Sequence, residues 1–70
     1  MIIMKIFAER VKDLRESNNL SIQALSRALK ISASSIFRWE SGQSDIKGNQ
    51  LRLLAKYFKV STDYILGLED

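Results

Sequence analysis

Ile22-Gln23-Ala24-Leu25-Ser26-Arg27-Ala28-Leu29-Lys30-Ile31-Ser32-Ala33-Ser34-Ser35-Ile36-Phe37-Arg38-Trp39-Glu40 is the stretch that decides the fold. Leu25 and Leu29 stand four apart, and Ile36 and Trp39 three apart, the spacings that put side chains on one face of a helix. Ser21 and Ser32 each precede one of these patterns at an N-cap position, where a serine oxygen accepts from a free backbone N–H two or three residues on. Only Lys30-Ile31-Ser32 separates the two segments, 22–29 and 33–40. Helices joined so tightly cross steeply instead of lying antiparallel, which is a helix-turn-helix arrangement.

The same periodicity extends outward. Phe7, Val11 and Leu14 predict a helix over about 5–18, and Leu51, Leu54, Ala55 and Phe58 one over about 49–58. Ser61 caps a short helix over 62–66, with Asp63 adding negative charge at its positive end. No run alternates apolar and polar residues as a strand does. The expectation is therefore an all-α fold of five short helices in a single domain, residues 1–70. The stripes Phe7, Val11 and Leu14, Leu25 and Leu29, Ile36 and Trp39, Leu51, Leu54 and Phe58, and Ile65 and Leu66 share its core. Leu20, Ile31 and Val60 plug the joints.

The chain has 70 residues and contains neither cysteine nor histidine. Disulfides, zinc fingers, thiol chemistry and histidine-based acid–base catalysis are thereby removed. No metal and no cofactor is expected, and no constellation of nucleophile, base and oxyanion donor suggests an enzyme. The apolar opening Met1-Ile2-Ile3-Met4 breaks at Lys5, too short for a membrane span. A soluble, cytoplasmic protein associated with the nucleoid is expected. Net charge is +3, and its distribution says more than its size. Between 27 and 59 lie Arg27, Lys30, Arg38, Lys47, Arg52, Lys56 and Lys59, against only Glu40 and Asp45. That concentration suits a polyanion.

Taken together, Leu14-Arg15, Leu25, Leu29, Ile31, Ser32, Ile36, Trp39-Glu40, Gly42 and Val60-Ser61-x-Asp63-Tyr64-Ile65-Leu66-Gly67 resemble the Xre-type helix-turn-helix family, the lambda-repressor-like fold of the lambdoid phage repressors and Cro. The match runs ungapped from about Val11 to Gly67. It departs from the family pattern at four places. Ser26 stands where the family usually has alanine, and Lys30 where it usually has a turn glycine, at a cost of about 1 kcal/mol if left-handed. Ile22 replaces the glutamine that commonly reaches phosphate, and Ile46 replaces a loop proline. The resemblance also implies a largely buried ion pair between Arg15 and Glu40.

The function that the resemblance implies is sequence-specific binding of double-stranded DNA by a bacterial, phage-like transcriptional regulator. Helix 33–40 would enter the major groove, with Ala33, Ser34, Phe37 and Arg38 facing base edges. Arg38 suits guanine, Ser34 several bases, and Ala33 and Phe37 thymine methyls. An exposed Phe37 has an alternative use as a core or dimer contact. Phosphate contacts are expected from Ser21, Gln23, Arg27, Ser41, Gln43, Ser44, Lys47 and Asn49, with Lys30 near the flanking backbone. One such domain covers about four or five base pairs, so a homodimer on a palindrome is expected. Leu53, Tyr57, Ile65 and Leu68 form the candidate seam across its two-fold axis. The competing reading is a protein-interaction module of antitoxin or antirepressor type, with a toxin, an antirepressor or RNA polymerase as partner. A restriction-modification controller is a nearer variant of the main reading.

Overall fold

The computed structural model describes the backbone of residues 2–69 and the side chains of residues 5–69. It contains five helices, α1 (Ile2–Ser17), α2 (Ile22–Leu29), α3 (Ala33–Glu40), α4 (Gly48–Phe58) and α5 (Thr62–Leu66), and no strand among the described residues. The bounds of α2, α3 and α5 are those the serine caps predict. Each serine accepts as expected, Ser21 from Ala24 N–H, Ser32 from Ser35 N–H and Ser61 from Tyr64 N–H. The first helix starts three residues earlier than its apolar spacing predicts and ends at Ser17, and α4 starts one residue earlier, at Gly48. Neither helix opens on the serine that marks the others. Gln50 supplies part of what is missing at α4, its side-chain oxygen accepting from Lys47 N–H at 3.4 Å.

All five helices end alike. A residue in the left-handed region comes after each one: Asn19, Lys30, Gly42, Lys59 and Gly67. The next N–H then reaches back five residues, as in Leu20 to Arg15, Ile31 to Ser26, Gln43 to Arg38, Val60 to Ala55 and Leu68 to Asp63. These are Schellman closures, which satisfy end carbonyls and favour an apolar residue in the last position. Leu20, Ile31 and Val60 plug the joints for this reason, and all three pack against the core. Three of the left-handed residues carry side chains, so the strain expected at Lys30, with φ 57° and ψ 41°, recurs at Asn19 and Lys59.

Phe7, Val11, Leu25, Leu29, Ile36, Trp39, Leu54, Ala55 and Ile65 form one buried cluster. Phe7 meets Trp39 edge to face, ring centroids 6.3 Å apart. Leu14, Leu51 and Phe58 line its edge, partly buried. Leu66, expected inside, is only partly buried, because consecutive residues of a helix project about 100° apart and Ile65 already takes the inward direction. At the far side α1 and α5 lie so close that a β-carbon on Gly67 would collide with Ile6 Cγ2. Gly67 also has φ +80°, so glycine is required there on both counts. Arg10 ties the same two helices, donating from Nη1 to the carbonyls of Tyr64 (2.9 Å) and Glu69 (3.1 Å). Its guanidinium lies 4.2 Å from the centroid of the Tyr64 ring.

Candidate nucleic-acid interface

The side of α3 opposite Ile36 and Trp39 faces outward. Ala33, Ser34, Phe37 and Arg38 line one open hollow together with Gln23 and Ile22 of α2 and Gln43 from the loop after α3. Six residues singled out in the sequence therefore meet on one surface that draws on both helices of the motif. Phe37 is 56% exposed, which rules out the alternative of a core contact.

The turn before α3 sets its direction. Ser26, read from the sequence only as a small residue, donates its hydroxyl to the Ile31 carbonyl at 2.6 Å. That bond spans the turn and helps offset the strain at Lys30. Ser32 then caps α3, and its hydroxyl lies 2.9 Å from that of Ser35.

At its other end α3 is anchored to α1. Arg15 Nε donates to Glu40 Oε2 at 2.7 Å and Nη2 to Glu40 Oε1 at 2.9 Å, a two-point fork. Nη1 donates to the Leu20 carbonyl at 2.8 Å, so one guanidinium on α1 holds both the connection to α2 and the end of α3. The side chains are 12% and 8% exposed. The hydrogen bond to Glu40 raises the Arg15 pKa above its ordinary value despite partial desolvation. The sign is that of a cation gaining a partner: its stabilisation is complete below the ordinary guanidinium pKa and lost only above it, so it is constant through neutrality. With Glu40 turned inward onto Arg15, Arg38 on the outer face of α3 carries the charge that a ligand meets.

The residues expected at phosphates lie outside this hollow, except Gln23 and Gln43. Ser21, Arg27, Ser41, Lys47 and Asn49 are exposed, and Ser44 is partly buried. Ser21 accepts from Ala24 N–H, which leaves its proton available to an anion. The Ser41 hydroxyl instead donates to the Phe37 carbonyl at 2.9 Å and so closes α3. Lys47 and Asn49 sit at the N-terminal end of α4, where the helix dipole favours negative charge.

Of the candidate seam, Leu53, Tyr57 and Leu68 are exposed. Ile65, included in the same seam from its sequence position, is 0% exposed. It points into the core and offers no surface to a second copy. Ile22 is the residue of the hollow that sequence reading missed as a site residue. Its signal was an apolar side chain in the first turn of a helix whose core stripe starts three residues later.

The helix-turn-helix family model HTH_3 matches residues 11–65. The chain belongs to that family. It is 33% identical over 64 residues to the HTH-type transcriptional activator BcrR of Enterococcus faecalis, a match covering 91% of this chain and 31% of that protein. It is 38% identical over 63 residues to the HTH-type transcriptional regulator DicA of Escherichia coli, covering 89% and 47% respectively. The crystal structure of an HTH_3 family transcriptional regulator from Vibrio cholerae superposes with a TM-score of 0.83 at 22% identity, covering 97% of this chain and 38% of the other. The chain thus spans between 31% and 58% of the length of the curated relatives it matches. Among the described residues no helix is long and apolar enough to cross a membrane, and no cluster of acidic side chains is arranged to hold a metal.

Proposed function

We propose that this domain is the DNA-reading part of a transcriptional regulator and docks α3 in the major groove of a palindromic operator. The observation that carries the reading is the set Ala33, Ser34, Phe37 and Arg38, lining one open hollow on a helix whose opposite face is locked in the core. A short helix presented this way fits the major groove, where base identity is displayed. Arg38 reads guanine through O6 and N7, and Ser34 adds an adaptable hydrogen bond. Ser21, Gln23, Gln43, Lys47 and Asn49, with Arg27 and Ser44 beside them, hold the phosphates that set register. The names of the relatives, all HTH-type transcriptional regulators, support the same function.

Two copies pair across Leu53, Tyr57 and Leu68 on the two half-sites. The test is selection of bound sequences from a random duplex pool, with titration of the winner against salt. An enriched palindrome with a steep salt dependence is expected. Arg38→Ala should lose about 1–3 kcal/mol of preference at one base pair, while Lys47→Ala should weaken all sequences alike and reduce the salt slope by about one. A pool that yields no enriched sequence overturns the reading.

A further inference from the structure

Two charged helix faces outside the hollow over α3 match each other. On α1, Glu9, Asp13 and Glu16 follow i, i+4, i+7 and are exposed, a stripe opposite the buried Phe7, Ala8 and Val11. On α4, Arg52, Lys56 and Lys59 follow the same spacing and are exposed too, and the helix contains no acidic residue. Like charges three or four residues apart destabilise the helix that carries them, so each stripe is a cost to its own helix unless opposite charge comes near. Little does within the chain: among the described residues the ion pairs are Arg15 with Glu40 and, at 3.8 Å, Arg15 with Glu16. The basic stripe also extends beyond the end of α4 assigned to phosphates, Lys59 lying about 18 Å further along the axis than Lys47 at 1.5 Å per residue. α1 packs on α3 and α5, and α4 on α2 and α5. Both stripes point away from the core, so they cannot meet within one copy.

We propose that the Glu9, Asp13 and Glu16 face of one copy docks on the Arg52, Lys56 and Lys59 face of the next. Helices laid parallel pair Glu9 with Arg52, Asp13 with Lys56 and Glu16 with Lys59 in register, because both stripes step by four residues and then by three. The contact joins two different faces, so it runs head to tail, and each copy keeps one stripe open for a further neighbour. Leu53 and Tyr57 project from α4 on the other side of Lys56, which leaves the two-fold seam free. Exposed ion pairs are weak and screened by salt. The contact therefore acts where one duplex holds copies side by side, and it makes the filling of adjacent sites cooperative. The contact itself does not depend on the docking of α3.

The experiment is sedimentation equilibrium of the free protein over a concentration series, at low and at high salt, with Tyr57→Ser as the background that removes the apolar seam. The mean mass should rise with concentration past that of a dimer at low salt, and the rise should vanish at high salt. Lys56→Glu and Asp13→Lys should each lower the association constant about fivefold, and the two changes in one chain should restore it to within about twofold. Net charge falls by two in the first variant and rises by two in the second, so a general charge effect would move them in opposite directions.

A mass that stays monomeric at low salt overturns the proposal, as does an association constant that either reversal leaves unchanged or that the double variant fails to recover. If Lys56→Glu weakens DNA binding and lowers its salt slope while self-association is unaffected, the basic stripe serves phosphates and the contact between copies is wrong.

Discussion

The turn before α3 and the loop after it are closed by the same backbone hydrogen bond, yet they differ in the residue next to the left-handed one. Before α3 the sequence is Lys30-Ile31, and Ile31 packs against the core while Ser26 grips its carbonyl. After α3 it is Gly42-Gln43, and Gln43 stands exposed at the edge of the base-facing hollow. One closure spends its last position on fixing a crossing angle, the other on presenting an amide. The glycine falls on the outward side, where a β-carbon would meet nothing within 4 Å. Conformation, not space, calls for glycine at position 42, with φ +74°. At Lys30 the neighbouring hydrogen bond and the packed Ile31 hold a strained side-chain residue in place.

The strongest way to break this contrast is to remove the anchor at the far end of α3. Arg15→Ala strands Glu40 and should cost about 3 kcal/mol in urea unfolding. Next, Ile31→Ser should destabilise by about 2 kcal/mol, because it removes the packed end of the inward closure. The matching change Gln43→Ser should stay within about 0.5 kcal/mol of the parent, and a loss comparable to that of Ile31→Ser would erase the distinction. Ser26→Ala removes the bond to the Ile31 carbonyl and should cost about 1 kcal/mol, seen as a lower Tm. An exchange of sign is expected at the left-handed residues, read by thermal unfolding. Gly42→Ala should destabilise by about 1 kcal/mol, whereas Lys30→Gly should stabilise by somewhat less.

Much of this was legible in the sequence where a side chain and its backbone role coincide. Serines at 21, 32 and 61 announce helix starts because the capping atom is their own. Arg15 and Glu40 were placed together through family resemblance, since nothing local links residues on different helices. The endings were harder to read. Asn19 and Lys59 carry no glycine to advertise a left-handed backbone, and the true signal is the apolar residue after each, Leu20 and Val60. The opening of α1 lacked a capping serine, so periodicity alone set it too late. Ile65 was assigned both to the core and to an outer seam, and only the rotation of α5 against α1 decides between them.

The clasp between α1 and α5 has a consequence for how the domain is made. Ile6 and Arg10 leave the ribosome long before their partners Gly67, Tyr64 and Glu69, which lie at the other end of the domain. Until then Phe7 and Val11 lack the Ile65 side of their enclosure, and the nascent chain holds an unfinished apolar face on its first helix. The domain therefore closes late in its synthesis and in a single act, rather than helix by helix as its elements appear.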